Sequence, residues 1–195
     1  MDEPLPEALE RVLFTAAAIR ERVAELGRQI CIDYAPPARE LTVVAVLNGS
    51  ILFLADLIRQ LPLPLRVDFV GASSYGSGTA SAGAVTLTRG IHLDLAGRDV
   101  LLIDDILDTG LTLHALGREI ARAHPGSLRT CVLLDKPARR RVPIQADYVG
   151  FTIADAFVVG YGLDYQERYR NLPYIAVLRP PAGAAGPITL PPAPA

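Results

Sequence analysis

The chain has 195 residues, half of them apolar, enough for one well-filled core and too few for two ordinary domains. Its formal net charge of -2 leaves no large positive field, which argues against bulk attraction to nucleic acid or to an anionic membrane, so any anionic ligand must be met by local groups. The opening Asp2, Glu3 and Pro4 do not read as a signal peptide, no apolar stretch approaches membrane-spanning length, and Cys31 and Cys131 form neither a disulfide framework nor a metal pair, so a cytoplasmic protein with buried free thiols is expected.

In chain order, Leu9, Val12, Leu13, Ala16, Ile19, Val23, Leu26 and Ile30 recur at three- and four-residue steps, which predicts an opening amphipathic helix ended by Pro36 and Pro37. Leu41 to Leu47 reads as a buried strand that runs into Asn48-Gly49-Ser50, and Ile51 to Leu61 as the helix after it. Leu65 to Val70 is strand-like. The small, polar, glycine-rich stretch Ala72 to Gly83 reads as a mobile loop, and no helix pattern follows its glycines, so it is not a dinucleotide cradle. Val100 to Ile103 is a fully apolar strand, Leu113 to Ala123 a helix, and Thr130 to Leu134 another strand. Buried strands alternating with helices predict an α/β fold with a mostly parallel sheet, whose ligands sit beyond the carboxyl ends of the strands. Residues 1–179 are expected to form a single domain, and the Pro/Ala-rich tail 180–195 to be disordered.

Chemistry concentrates in Val100-Leu101-Leu102-Ile103-Asp104-Asp105-Ile106-Leu107-Asp108-Thr109-Gly110-Leu111-Thr112. An apolar strand delivers two adjacent carboxylates to its end, then a third, then a Thr-Gly-x-Thr turn that opens a helix. Backbone N–H groups at a helix start, with threonine hydroxyls, hold a phosphate without a cation. The acids beside it would repel that phosphate unless they engaged ribose hydroxyls or a hard cation such as magnesium. A sugar phosphate satisfies both halves. Asp108-Thr109-Gly110 is also the aspartic-protease triplet, but that site belongs to an all-β fold. The acid pair followed by Leu134-Asp135-Lys136-Pro137 is also found in receiver domains, which begin with the pair rather than carrying it mid-chain.

The whole segment resembles the PRPP-binding signature of type I phosphoribosyltransferases, where PRPP is phosphoribosyl pyrophosphate. Leu47-Asn48-Gly49-Ser50, Ser73-Ser74-Tyr75-Gly76, Leu134-Asp135-Lys136-Pro137, and Val149-Gly150-Phe151 through Phe157-Val158-Val159-Gly160-Tyr161-Gly162-Leu163-Asp164-Tyr165 narrow the likeness to the hypoxanthine-guanine branch. The resemblance implies a mostly parallel twisted sheet flanked by helices, with a small hood and a flexible loop tipped by Ser74 and Tyr75. It implies an enzyme of purine salvage that joins hypoxanthine or guanine to PRPP with Mg2+.

By that resemblance Asp104 and Asp105 hold the ribose hydroxyls, directly or through magnesium, and Asp108, Thr109, Gly110, Leu111 and Thr112 wrap the 5′-phosphate. Asp108 also sits near N7 of the purine as the acid–base group. Lys136, the only lysine of the chain, donates to the exocyclic O6 and so selects 6-oxopurines. Phe157 stacks on the purine, Val158 reads its edge by its backbone, and Asp164 lies at the same site and holds a second magnesium. Asn48 and Gly49 form the pyrophosphate loop, and Arg170 contacts the leaving group. Many relatives carry Lys where Asn48 stands; an amide supplies no charge, which shifts weight to backbone N–H groups, Arg170 and metal.

Two other functions compete with this one: a xanthine-preferring transferase, and a nucleotide-sensing regulator of the same fold that binds nucleic acid. The only basic run, Arg139-Arg140-Arg141, reads as a solvated loop, so no nucleic-acid partner is expected. The partners expected are PRPP and a 6-oxopurine base, with no membrane, and a homo-oligomer (dimer or tetramer) in which the opening helix could serve an interface.

Overall fold

The structure is a computed structural model that describes residues 6–34, 40–73 and 86–179. Pro36, Pro37, Ser74, Tyr75 and the tail from Pro180 lie outside the described residues. A six-stranded sheet has the order β4-β3-β2-β5-β6-β7. Its strands are β2 (Leu41–Leu47), β3 (Leu65–Ser73), β4 (Thr86–Arg89), β5 (Asp99–Leu107), β6 (Ser127–Asp135) and β7 (Tyr148–Thr152). All neighbours pair in parallel except β3 with β4. The parallel sheet read from the alternation of strands and helices is therefore present, with one antiparallel edge strand that the reading did not include.

Period-two alternation sends the strand side chains to two cores. Val43, Ala45, Leu101, Ile103, Cys131 and Leu133 pack with Ile19, Val23, Leu26 and Ile30 of α1 (Ala16–Tyr34) and with Phe53 and Leu57 of α2 (Ile51–Ile58). Val44, Val46, Val100, Leu102 and Val132 face Leu113, Leu116 and Ile120 of α3 (Leu111–Arg122) on the other side. The helix after β2 and the helix after β5 thus cover opposite faces, which makes the gap between the carboxyl ends of these two strands a topological switch point, where ligands bind in open α/β sheets.

A second, three-stranded antiparallel sheet has the order β1-β9-β8, built from β1 (Leu9–Phe14), β8 (Val158–Val159) and β9 (Ile175–Leu178). Val158, Ile175 and Val177 point into the α1 core, while Val159, Ala176 and Leu178 join Leu9 in a cluster of their own. This is the small hood implied by the resemblance. It also corrects the opening helix: Leu9 to Phe14 is a strand, and helix begins only at Ala16, where Thr15 Oγ1 accepts the N–H of Ala18 at 3.2 Å. Leu9, Val12 and Leu13 stand at helical steps and do not alternate as an ideal strand would; register shifts in the pairing with β9, some 165 residues downstream, accommodate them in a strand. Cys131 is buried and Cys31 partly exposed, both free thiols.

If β1 is an integral strand of the hood, its one fully buried side chain carries stability. Leu9→Ala should lower the unfolding free energy by about 2–4 kcal/mol in urea titration, whereas Glu10→Ala, exposed on the same strand, should change it by less than about 0.5 kcal/mol. Equal effects would mean that Leu9 does not anchor the strand in the hood.

Candidate active site

β5 does not stop at Ile103. It pairs with β6 through Leu107, opposite Asp135, but with β2 only as far as Ile103, opposite Ala45. Asp104 and Asp105 therefore lie inside the strand, at the place where its β2 neighbour has turned away. The expectation that the acids cap the strand end is corrected accordingly: they are held by the ladder on one side and face the opened switch point on the other. Asp104 is 6% exposed, and its Oδ1 accepts the N–H of Asp105 at 3.0 Å. Burial, then the neighbouring Asp105 charge, pushes the Asp104 carboxyl well above the ordinary carboxylate range. Burial raises Asp105 as well, with Arg170 pulling in the opposite direction.

The chain that leaves β2 closes over this pair. The Leu47–Asn48 peptide is cis. Asn48 is exposed at the tip, its carbonyl accepting the N–H of Ile51 at 3.2 Å, and the hydroxyl of buried Ser50 donates back to Val46 O. A Cβ on Gly49 would fall 1.7 Å from Asp105 Oδ2, so only glycine lets the loop approach the carboxylate. Gly162 presses on the loop from the other side: its φ is +99°, and a Cβ there would meet Gly49 O at 2.0 Å. Its carbonyl accepts Arg170 Nη1 at 2.8 Å, while Arg170 Nη2 lies 2.8 Å from Asp164 Oδ1. Tyr161, with φ +49°, is held by its hydroxyl donating to Asp56 Oδ2 of α2 at 2.6 Å. Asn48, Gly49, Asp104, Asp105, Asp164 and Arg170, distant in sequence, thus meet in one cluster.

After β5 the chain makes the Asp108–Gly110 turn. Gly110, not Thr109, occupies the helix N-cap position, with φ +83°. Thr109 Oγ1 accepts Leu111 N–H at 3.4 Å, and Gly110 O accepts His114 N–H at 2.9 Å. The first N–H groups of a helix have no intrahelical partners; Leu111 N–H is taken up weakly by Thr109 Oγ1, which leaves the N–H of Thr112 to present a donor at the positive end of α3. Within the run Arg139-Arg140-Arg141, read as a solvated loop, Arg139 and Arg141 are exposed but Arg140 is not. Arg140, largely buried, donates from Nη1 to Leu107 O at 2.8 Å and to Asp108 O, and pairs through Nη2 with Asp135. Arg141 N–H donates to Thr109 O at 2.9 Å, and Ile144 and Val142 leave no room for a side chain on Gly110. The Asp108–Gly110 turn is gripped from outside by the segment that follows β6.

Lys136 ends β6 as a buried residue, 6% exposed, with its own N–H bonded to Leu107 O at 3.0 Å. Its ammonium is 3.6 Å from Asp155 Oδ1, and Arg139 stands 3.7 Å from the same oxygen and 3.1 Å from Asp108 Oδ1. That last contact is an ion pair without hydrogen-bond alignment: Asp108 Oδ1 is closed to solvent with no donor aimed at it among the described residues. Phe157 and Val158 lie in the hood, Val158 paired with Val177 and Phe157 edge-on to Tyr165 at 5.6 Å. They join Lys136 through the chain that carries Asp155, tied down by Ile153 N–H to Asp135 O at 2.8 Å. Sequence reasoning missed Asp155, Asp56 and the ties made by Arg139 and Arg140. The arginine run was visible, but nothing in the sequence says what a guanidinium faces.

A model of the phosphoribosyl transferase domain matches residues 13–166. A hypoxanthine-guanine phosphoribosyltransferase of Mycobacterium avium is 47% identical over 182 residues, covering 91% of this chain and 90% of the relative. A hypoxanthine phosphoribosyltransferase of Salmonella typhimurium is 46% identical over 164 residues, 84% of this chain and 92% of the relative. Among solved structures, a hypoxanthine-guanine phosphoribosyltransferase of Bacillus anthracis superposes with a TM-score of 0.82 at 44% identity, covering 88% of this chain and 99% of that one. A hypoxanthine phosphoribosyltransferase of Trypanosoma cruzi gives 0.85 at 43%, covering 91% and 95%. With a buried acid pair at the switch point, a helix-opening turn and this extent of likeness, the chain belongs to the phosphoribosyltransferase family of transferases, in its hypoxanthine-guanine branch.

Proposed function

We propose that this protein transfers the phosphoribosyl group of PRPP to hypoxanthine or guanine, giving IMP or GMP and pyrophosphate. The observation that carries the reading is the convergence of the acid pair, the Asp108–Thr112 turn and the buried Lys136 at neighbouring strand ends of β5 and β6. Thr109, Gly110, Leu111 and Thr112 hold the 5′-phosphate with backbone N–H groups and hydroxyls. Asp104 and Asp105 take the ribose hydroxyls, and Asn48, Gly49 and Arg170 the pyrophosphate. Lys136 donates to O6 of the base, Phe157 covers its face, and Val158 and Asp164 border it.

N9 of the purine attacks C1′ of the ribose as the bond from C1′ to the pyrophosphate oxygen breaks, and the proton on N7 passes to the Asp108 carboxylate. Its unsatisfied Oδ1 supports that role, being an acceptor with no aligned donor. Lys136 discriminates by chemistry: a buried ammonium facing the 6-amino group of adenine would be left unpaired, at about 1–3 kcal/mol.

The residues fit magnesium. Two adjacent carboxylates, both raised by burial and Asp104 also by the Asp105 charge, are relieved by a hard cation, and the described residues offer no group of three or more acidic, His or Cys side chains that would bind a metal unaided. Such a site suits an ion that keeps water and substrate phosphates as most of its ligands. Asp104 and Asp105 would hold one such ion and Asp164 a second, and when bound they would neutralise the charge of the departing pyrophosphate.

The unit is proposed to be one domain over residues 1–179, working in the cytoplasm as a dimer or tetramer. Exposed Ile32, Ile51 and Leu52 support an interface with a second copy. Among the described residues no helix is long and apolar enough to cross a membrane. The nucleic-acid regulator gains nothing from the structure, since Arg139 and Arg140 are engaged by acidic groups and carbonyls of the site.

Incubating the protein with PRPP, magnesium and hypoxanthine or guanine should release pyrophosphate and the matching nucleotide; failure with every 6-oxopurine would defeat the reading. Asp108→Asn should leave PRPP binding within a few-fold while kcat falls by about 10²–10⁴, and undiminished kcat would remove Asp108 from proton transfer. Asp104→Asn should abolish most activity yet raise the thermal midpoint of the ligand-free protein at neutral pH by about 2–4 °C, the shift that about 1 kcal/mol makes at this size, because it removes a carboxyl whose ionisation burial and Asp105 oppose in the folded state, a penalty present at pH above the unfolded carboxylate range. A lowered midpoint would mean that the pair is not a source of strain.

A further inference from the structure

The three consecutive arginines do not share one task. Arg140 and Arg141 hold the backbone of the phosphate turn through Leu107 O, Asp108 O and Thr109 O. Arg139 instead meets side-chain charges: its Nε is 3.1 Å from Asp108 Oδ1, and its Nη1 is 3.7 Å from Asp155 Oδ1. The same Asp155 oxygen lies 3.6 Å from Lys136 Nζ. Negative and positive groups therefore alternate in a row, Asp108, Arg139, Asp155, Lys136. In the proposed reaction the two ends of that row face adjacent atoms of the purine, N7 and O6. The two middle members take no part in it.

A lysine ammonium rides on a flexible four-carbon stem, and a carboxylate with no aligned donor is free to turn. Recognition of two neighbouring atoms on a rigid ring demands that both groups stand at a fixed spacing before the base arrives, since the ordering would otherwise be charged against binding. Asp155 gives the ammonium a counter-charge on one side, Arg139 gives the Asp108 carboxylate one on the other, and the contact between Arg139 and Asp155 closes the row.

We propose that Arg139 and Asp155 are positioning residues for the purine, which fix the spacing between the Lys136 ammonium and the Asp108 carboxylate. The inference rests on the reaction proposed above and extends it to two residues that the reaction itself gives no role. Both side chains are substantially exposed, at 39% and 52%, so they can be changed without opening the core. Neither touches the backbone of the turn that holds the 5′-phosphate, so the effect belongs to the base and not to the sugar donor.

The test is steady-state kinetics of Arg139→Gln, Asp155→Asn and the double variant, with thermal midpoints measured alongside. Each single change should raise KM for hypoxanthine about two- to fivefold, the range of a partly exposed ion pair, with KM for PRPP and the midpoint at their wild-type values. Because the row acts as a unit, the double variant should match the worse single variant rather than the product of the two. Arg139→Lys, which keeps the charge, should recover part of the loss. Unchanged KM for hypoxanthine, a parallel rise in KM for PRPP, or effects that multiply in the double variant would each overturn the proposal. Active wild-type protein with any of these outcomes removes only this inference, whereas wild-type protein that makes no nucleotide removes the reaction beneath it.

Discussion

Everything in this site depends on keeping two adjacent carboxylates at the edge of an apolar core. Asp104 and Asp105 continue a strand whose preceding residues, Val100, Leu101, Leu102 and Ile103, are all fully buried. Four such side chains contribute about 1.5–3 kcal/mol each by burial, which outweighs the few kcal/mol of desolvating a partly hydrogen-bonded acid pair. The strand cannot withdraw to hydrate the acids without uncovering both cores. The acids remain, as a local deficit of positive charge and of donors, at the one gap in the sheet where a ligand can enter.

The neighbours of the pair follow from that constraint. Gly49 is required because Asp105 occupies the place of its Cβ, and Gly162 because Gly49 occupies the place of its own. The position of the carboxylate is thereby transmitted through two glycines to the turn that carries Asp164 and Arg170. Basic chemistry is divided just as sharply. Arg140 binds two carbonyls and a carboxylate with one planar fork, which an ammonium could not do. The single lysine stands where one compact donor faces into the site. In the proposed reaction the chain builds with arginine and reads the base with its only lysine, each cation placed according to the geometry it must satisfy.

The layers and the acid segment were legible because they are local: apolar strands, helix periods and the Asp-Asp-x-x-Asp-Thr-Gly-x-Thr run each occupy a dozen residues or fewer. What was illegible depends on distant partners. The apolar residues from Leu9 to Phe14 stand at helical steps rather than alternating, and only an irregular pairing with Ile175 to Leu178 makes the segment a strand. The acid pair read as a strand end because apolar residues stop at Ile103, whereas the ladder with β6 carries β5 on to Leu107. Arg139 and Arg140 read as solvated because a loop of three charges usually is; the acceptors that capture them, Asp108, Asp135 and the carbonyls of the turn, come from strand ends brought alongside by the parallel sheet.

The hood and the sheet supply different halves of the proposed site, so their relative placement matters as much as either half. The small sheet is anchored by Val158, Ile175 and Val177, which enter the core beneath α1, while its other face gathers Leu9, Val159, Ala176 and Leu178 with the aromatic rings of Phe157, Tyr165, Tyr169 and Tyr174. Alternation along two short strands thus mounts an aromatic surface on the same core that supports the acid pair. Polar ties then fix the rotation: Tyr161 to Asp56 joins the hood turn to α2, and Ile153 to Asp135 joins the approach to β8 to the end of β6. In the proposed reaction, a base against Phe157 and a sugar at Asp104 and Asp105 would therefore be registered by shared apolar packing, with hydrogen bonds setting only the last degree of freedom between them.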